Sequence, residues 1–174
     1  ITCRDWSSDV CSSDLPDGMV TVPVHPLWPN LARTCQTPPG GLSGPLVDGG
    51  AGTEADLQCK PLRDALVVLD MASNLEWLSV PEFGGKAVLF RASDLTTGNT
   101  ARRKFLSVPA DIPRYYVDHA DLPALDALLR VGAAATLHCD VQWEPVEGRN
   151  ILAQVTSGRG GSRPGTGGRR SRRG

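Results

Sequence analysis

The sequence predicts a small domain of mixed α/β class, and three features of the chain lead to that prediction. Two continuous apolar runs, at residues 65–69 and 87–90, are separated by one short helical segment and a Gly-Gly pair. Leucines recur at helical spacing over residues 122–131, and apolar and polar residues alternate over residues 136–143, as they do in a half-buried strand. Strands and helices therefore follow one another along the chain, which is typical of a mixed α/β domain.

Length and composition allow one globular domain with tails. The chain has 174 residues, of which 40% are apolar and 21% are charged, close to ordinary globular usage. No run approaches the roughly 18 consecutive apolar residues of a membrane-spanning helix. Residues 16–157 carry 11 Lys and Arg against 16 Asp and Glu. This excess of acids argues against nucleic acid as a partner of the folded part, because phosphate binding requires a basic face.

The two ends of the chain differ from the rest. Residues 1–15 repeat the unit Ser-Ser-Asp-Val/Leu without helical or strand periodicity, and they resemble the translated read-through of a sequencing adapter. We expect a non-native leader there; a natural polar leader with two cysteines is the alternative. Residues 157–174 contain only Gly, Arg, Ser, Pro and Thr, a composition that cannot form a core. Out-of-frame translation of GC-rich DNA and a genuine flexible tail are both consistent with it.

Residues 16–60, here called the lead-in, are dense in proline and glycine. Such spacing predicts short strands and turns and no helix. A short strand is expected at Leu46 and Val47, followed by a turn at Gly49 and Gly50.

The clearest pattern begins at residue 61. The apolar run within residues 64–70 predicts a buried strand, and Ser73 is expected to cap a helix over residues 74–81 that ends at a proline. A Gly-Gly turn then leads to the strand at residues 87–90. Strand, short helix and parallel strand together predict a right-handed crossover.

Residues 93–108 are polar and are expected to form an exposed excursion with one helical turn. A strand follows at residues 112–117, and Asp121 and Gly132 are expected to begin and end a helix over residues 122–131.

The last two strands are predicted at residues 136–143 and 150–155. Alternation in the first of them predicts a buried face of four side chains: Leu137, Cys139, Val141 and Trp143.

This order of elements, with "IPRYYV" at residues 112–117 and "GRNILAQV" at residues 148–155, resembles the protease-associated (PA) domain of zinc aminopeptidases of the aminopeptidase Y and glutamate carboxypeptidase type. The proline-rich "HPLWPNLARTCQTPPGGLSGPLVDGG" at residues 25–50 is similar to the lead-in of a bacterial subgroup. The resemblance covers residues 16–155. It implies a swivelling β/β/α fold over residues 61–156 behind a proline- and glycine-rich lead-in.

The resemblance also implies a non-catalytic lid or spacer, which covers the cleft of a zinc exopeptidase and can take part in substrate or partner contact. The two-zinc chemistry would lie in a catalytic domain beyond the strand at residues 150–155, so we expect a truncated fragment with no catalytic, cofactor-binding or metal residues of its own. The implied partners are that missing domain and peptide substrate, with no nucleic acid and no membrane span in this fragment. The implied location of the parent is extracytoplasmic. The alternative is a stand-alone interaction module without a peptidase domain, and a third hypothesis is RNA binding through the tail.

A metal role is considered at His138 and Asp140, which match the pattern His-x-Asp. Residues two apart on a strand share a face, but a zinc site needs at least three protein ligands and Cys139 points the other way. The other histidines, His25 and His119, lie in unrelated contexts. An exposed polar strand edge is therefore the preferred interpretation.

Three cysteines remain outside the leader: Cys35, Cys59 and Cys139. A Cys35–Cys59 disulfide is compatible with their separation, but an odd count without a Cys-x-x-Cys motif favours buried free thiols. Ser43 lacks the Gly-x-Ser-x-Gly elbow of a serine nucleophile, and the glycines at residues 49–52 lack the lysine of a phosphate loop, so both are expected to be turns.

Two further groups are candidates for contact with a partner. Arg102, Arg103 and Lys104 form a basic cluster that would suit an acidic partner, with a solvated loop as the preferred interpretation. Arg114, Tyr115 and Tyr116 are candidates for a peptide groove, although alternation sends the first two to opposite faces. No site is assigned to either group.

Overall fold

The strands of the protein pair into one mixed sheet in this computed structural model, which describes residues 8–12, 20–145 and 147. In chain order the strands are β1 (Ser8–Ser12), β2 (Val20–Pro23), β3 (His25–Pro26), β4 (Leu42–Gly50), β5 (Leu66–Asp70), β6 (Ala87–Arg91), β7 (Arg114–Val117) and β8 (Ala134–Cys139). Their order across the sheet is β2-β1-β8-β4-β5-β6-β7-β3. These elements all belong to the first of two units, residues 1–144, and nearly all of the second lies outside the described residues.

The middle of the sheet is parallel and its flanks are antiparallel. β4, β5, β6 and β7 are successive parallel neighbours. β8 joins them to β1 and β2 through antiparallel pairs, and β3 pairs antiparallel with β7. Because parallel strands end at the same edge, the residues that follow β5, β6 and β7 are brought to one side of the sheet.

Each face of the sheet carries its own hydrophobic core. In β5, Leu66 and Val68 pack into one core while Val67 and Leu69 pack into the other, as a period of two requires. All four side chains are fully buried. This two-sided burial explains why the run is continuously apolar rather than alternating.

In the part of the chain that the structure describes, three helices and two 3-10 segments cover the sheet. They are α1 (Glu54–Leu57), a 3-10 helix at Glu76–Ser79, α2 (Gly98–Arg102), a 3-10 helix at His119–Asp121 and α3 (Leu122–Arg130). α3 buries Leu125 and Leu128 in the first core, whereas α1 and the first 3-10 helix bury Leu57 and Trp77 in the second. No helix in the described part of the chain is long and apolar enough to cross a membrane.

The predicted mixed α/β class is confirmed, and so is the centre of the predicted topology. The apolar runs form β5 and β6, which pair in parallel, and the strand predicted at residues 112–117 becomes β7. The excursion contains the one expected helical turn, α2. Gly132, with a φ of 63°, follows α3 as predicted.

The prediction for the lead-in is wrong in three respects. β4 is a nine-residue strand that includes Ser43 and the Gly49-Gly50 pair, where turns were expected. α1 is a helix, which Thr53 and Asp56 stabilise through a capping box. Tertiary pairing of β4 with both β5 and β8 outweighs the weak strand propensity of its glycines.

Residues 1–15 lack strand periodicity, yet Ser8–Ser12 forms β1 between β2 and β8. Its apolar content is too low to signal a strand, and the pairing comes from backbone hydrogen bonds to two neighbours. The origin of this segment as a leader stays a prediction.

Two further elements are shorter than predicted. The helix expected over residues 74–81 is a 3-10 helix of four residues whose N-cap is Leu75 rather than Ser73. β8 stops at Cys139, so Trp143 is 54% exposed instead of buried beside Leu137.

The last two predictions concern the start of α3 and the end of the chain. Asp121 precedes α3 but makes no side-chain cap hydrogen bond, since a 3-10 helix already supplies the turn. The strand predicted at residues 150–155 and the tail at residues 157–174 lie outside the described residues.

Candidate ligand-binding site

A cavity of about 790 Å³ lies between the lead-in and the excursion. Three cations line it, Arg102, Arg103 and Lys104, together with Trp28 from the lead-in and Met71 from the end of β5. Short polar side chains complete the lining: Thr96, Asn99 and Thr100. Among the residues that the structure describes, no acidic side chain lines this cavity. We define these lining residues as the cationic pocket.

Backbone pairing fixes Trp28 at the cationic pocket. β3 pairs with β7, and directly after β3 the Leu27 amide donates a 3.0 Å hydrogen bond to the Arg114 carbonyl. The Trp28 amide then donates a 2.8 Å hydrogen bond to the Arg102 carbonyl at the end of α2. The proline-rich lead-in is therefore joined to the excursion although the two are more than seventy residues apart in sequence.

Side chains of the lead-in and of β7 also hold the excursion in place. Asn30 donates hydrogen bonds to the carbonyl oxygens of Val108 (2.8 Å) and Ala110 (3.0 Å). The Tyr116 hydroxyl lies 3.4 Å from the Thr96 carbonyl oxygen at the other end of the excursion. These contacts stabilise the frame of the pocket before any ligand is bound.

The cations of the pocket lie in different environments. The Arg103 guanidinium stacks 5.0 Å from the centre of the Trp28 ring, a geometry typical of a cation–π contact. The Lys104 ammonium donates a hydrogen bond to the Met71 carbonyl and lies 4.8 Å from the Phe105 ring centre. Burial lowers the pKa of Lys104, because desolvation disfavours its charged form.

Phe105 anchors the end of the basic cluster in the second core. Its ring lies 5.1 Å from the Trp77 ring and 5.6 Å from the Phe90 ring. Its φ of 65° is in the left-handed region, which an aromatic residue rarely adopts. The packing of the ring compensates for this unfavourable backbone conformation.

Behind the pocket lies a fully buried arginine. Arg114 donates a 3.2 Å hydrogen bond to the Trp28 carbonyl and another of 3.2 Å to the Phe105 carbonyl. Its guanidinium carbon is 5.7 Å from the Trp77 ring centre. In the described part of the chain no carboxylate pairs with it. Burial lowers the pKa of Arg114, and its charge adds to the positive potential on this side of the domain.

A second polar cluster lies where the parallel strands end. Arg91 forms ion pairs with Asp48, with Asp70 at 3.0 Å and with Asp126 at 3.9 Å. Each carboxylate is about half exposed, while Arg91 is 22% exposed. This cluster joins β4, β5, β6 and α3, and we regard it as a structural ion-pair network.

The structure does not bring the histidine-based candidates together. His138 and Asp140 are exposed, and the intervening Cys139 is buried on the opposite side, as the alternation predicts. Among the described residues no group of three or more His, Cys, Asp and Glu side chains is placed to hold a metal. His25 pairs with Tyr116 in the sheet, and His119 contacts the carbonyl of Ser93.

The groove hypothesis for Arg114, Tyr115 and Tyr116 is wrong, because all three side chains are buried. β7 has neighbours on both sides and a core on each face, so none of these side chains reaches a surface groove. The opposite orientation of Arg114 and Tyr115 is confirmed: Tyr115 belongs to the first core, whereas Arg114 contacts Trp77 of the second.

Cys35 and Cys59 are free thiols, which excludes a disulfide between them in this structure. Cys35 and Cys139 are buried as expected, but Cys59 is exposed. Burial raises the pKa of the Cys35 thiol, which donates to the carbonyl oxygens of Leu27 (3.3 Å) and Arg114 (3.0 Å).

Sequence reasoning identified the basic cluster but missed its aromatic partner. Arg102 and Arg103 are exposed, as a solvated loop predicts, yet they border a cavity rather than open solvent. Trp28 is 39% exposed and gave no signal, because the lead-in has no periodicity that would place it beside α2.

No protein-family model and no curated protein match the sequence. Among solved structures, the chain is similar to the aminopeptidase from Aneurinibacillus sp. strain AM-1, with 17% identity and a TM-score of 0.49 over 82% of this chain and 32% of that one. It is also similar to the peptidase M28 precursor from Shewanella amazonensis SB2B, with 17% identity and a TM-score of 0.49 over 79% of this chain and 36% of that one. The chain therefore matches about a third of the length of each of these proteins.

Proposed function

We propose that residues 61–156 act as a non-catalytic protease-associated domain of a bacterial zinc exopeptidase that works outside the cytoplasm. The observation that carries the proposal is the order of elements from β5 to β8, with its parallel crossover, third parallel strand, leucine-rich helix and antiparallel strand. The family resemblance of the sequence rests on this same order. The domain would contact the catalytic domain and restrict access to its cleft.

The chemistry of the cationic pocket supports a binding role. Its groups are guanidinium, ammonium, hydroxyl, amide and indole, which bind and orient a ligand. Peptide hydrolysis by a zinc enzyme requires a metal-bound water and a general base, which in this proposal belong to the catalytic domain. Zinc would be held there.

Sequencing the source DNA beyond codon 156 in all three frames tests this proposal. We expect a reading frame that encodes a His-x-Asp pattern followed by spaced Asp, Glu and His residues. An in-frame stop without such ligands would contradict the proposal and favour a stand-alone interaction module.

Activity assays of the parent protein provide a second test. The full-length enzyme and a variant lacking residues 61–156 should be compared on an aminoacyl anilide and on a long peptide. If the domain is a lid, its deletion should change kcat/KM for the long peptide much more than for the small substrate. The same fold-change for both substrates would contradict a role in access. The present chain, incubated with zinc, should hydrolyse neither substrate.

A further inference from the structure

We propose that the cationic pocket binds an acidic peptide segment, with side-chain carboxylates held by Arg102, Arg103 and Lys104 and an apolar side chain resting on Trp28. All of the residues that line the cavity fall within positions 28–104 of the chain. This inference therefore does not depend on the presence of a peptidase domain. It goes beyond the proposed function by assigning a site and a ligand class.

Charge is the first argument for this ligand. Three cations line the cavity, none of its described lining residues is acidic, and the buried charge of Arg114 lies behind it. A cation without a counter-charge is most costly where water is partly excluded, as it is around Lys104. A bound carboxylate would supply the missing counter-charge and accept charge-assisted hydrogen bonds.

Shape and apolar surface are the second argument. A volume of about 790 Å³ is within the usual range of ligand pockets and accommodates a short peptide rather than a single ion. Trp28 is 39% exposed at the pocket, and Leu95, next to Thr96 of the lining, is 95% exposed. Apolar side chains beside cations favour a ligand with both acidic and apolar groups.

The charge of the surrounding chain favours a peptide over a nucleic acid. Residues 16–157 have more acids than bases, and Asp94 and Asp111 lie exposed near the two ends of the excursion. A polyanion longer than the cavity would meet these acids, whereas a short acidic peptide that fits within the cavity would not. Nucleic-acid binding requires an extended basic surface.

The pocket is also preformed. Trp28 is joined to the Arg102 carbonyl by a 2.8 Å hydrogen bond, and Lys104 is joined to Met71. The backbone of the pocket and the Lys104 side chain are therefore in place before a ligand binds, which lowers the entropic cost of association.

Fluorescence anisotropy with the full chain tests the proposal. The probe is a fluorescein-labelled hexapeptide of alternating Leu and Glu, and the comparison probe has Gln in place of each Glu. At about 50 mM salt, where screening is weak, we expect the Glu peptide to bind at least about tenfold more tightly than the Gln peptide. Equal binding of the two peptides, or no binding of the Glu peptide up to about 1 mM, would overturn the proposal.

Matched variants separate the pocket from general electrostatics. The double variant Arg102→Gln/Arg103→Gln should weaken binding of the Glu peptide by about tenfold or more. The control Arg63→Gln/Arg130→Gln removes the same charge at exposed positions outside the pocket and should change affinity by less than about twofold. Unfolding curves in urea establish that both variants are folded.

The variants also exclude other sources of binding. If the arginine-rich tail at residues 157–174 captured the peptide, neither double variant would change the affinity, and the proposal would be wrong. It would be equally wrong if the two double variants had the same effect, or if a single-stranded oligonucleotide bound more tightly than the Glu peptide. None of these results bears on whether a peptidase domain follows, so the two proposals fail independently.

Discussion

The Arg114 guanidinium lies 3.2 Å from the Trp28 carbonyl oxygen, although the two residues are 86 positions apart in the chain. Its second nitrogen lies 3.2 Å from the Phe105 carbonyl oxygen. One buried side chain of β7 thus joins the lead-in to the end of the excursion, and these two segments form the cationic pocket.

The first prediction concerns this arginine. Arg114→Met should lower the free energy of unfolding by roughly 1–3 kcal/mol, because two carbonyl oxygens lose their donor in a buried environment. Arg114→Lys should recover only part of the loss, since a single ammonium group lacks the planar fork of a guanidinium and cannot reach both carbonyl oxygens. Urea unfolding measures the change, with exposed Arg63→Met as control. Equal stability of Arg114→Met and the wild type would show that removing the buried charge offsets the lost hydrogen bonds.

The second prediction concerns close packing of β4 against the turn before β5. A Cβ added at Gly44 would lie 2.2 Å from the backbone oxygen of Asp64, which cannot move without shifting the strand. Gly44→Ala should therefore destabilise the protein by about 1–3 kcal/mol. Gly40→Ala is the matched control, because nothing lies within 4 Å of its added Cβ. Thermal unfolding compares the two, and the same midpoint for both would contradict the β4 register.

The third prediction concerns alkaline pH. The Tyr115 hydroxyl donates a hydrogen bond to the Cys35 carbonyl, and burial raises the pKa of Tyr115 and of the Cys35 thiol above their ordinary values of 10.0 and 9.0. The unfolded chain releases these protons at the ordinary values while the folded chain retains them. The free energy of unfolding should therefore fall as pH rises above about 9, and be insensitive to these groups at lower pH.

Urea unfolding between pH 8 and pH 11 checks this dependence. Tyr115→Phe should remove up to about 1.4 kcal/mol per pH unit of the slope above pH 10. Gly40→Ala, whose added Cβ has nothing within 4 Å, is the control and should leave the slope unchanged. If Tyr115→Phe had the same slope as the wild type, the Tyr115 phenol would not contribute to the pH dependence of the free energy of unfolding.

The fourth prediction concerns the ion-pair network. Arg91→Gln leaves Asp48, Asp70 and Asp126 facing one another without a cation, and should lower the free energy of unfolding by roughly 1 kcal/mol at low salt. The loss should shrink in about 1 M salt, because exposed charges are then screened. Arg63→Gln serves as a control for the change in net charge. A salt-independent loss would assign the effect to packing of the arginine stem instead.

The fifth prediction concerns thiol accessibility. Brief alkylation of the folded protein should modify Cys59, whereas Cys35 and Cys139 should react only after denaturation. Peptide mapping by mass spectrometry distinguishes the three positions. Detection of a Cys35–Cys59 cross-link would contradict the burial of Cys35.

Local patterns in the chain were sufficient for the centre of the fold. The uninterrupted apolar runs of β5 and β6 can be satisfied only by strands buried on both faces, so their parallel pairing followed from residue type and a short connection. The leucine spacing of α3 and the glycine after it defined that helix within a residue or two. The basic cluster of Arg102, Arg103 and Lys104 was also evident from composition.

The flanks could not be predicted in the same way. β1 and β4 contain few apolar residues, and they are strands because neighbouring strands supply their hydrogen bonds. A capping box made α1 a helix inside a segment whose prolines and glycines argued against one. These elements depend on contacts between residues distant in sequence, which local propensity does not contain.

The sequence by itself determined the mixed α/β class, the parallel centre and the presence of a basic cluster, because each depends on residues close together in the chain. The tertiary structure alone decided that Trp28 lies against Arg103, and that Arg114 is buried behind the pocket rather than exposed in a groove. Both outcomes follow from the pairing of β3 with β7, which brings the lead-in beside the excursion. The cationic pocket therefore exists only in the folded chain, since neither of the segments that form it encloses a cavity alone.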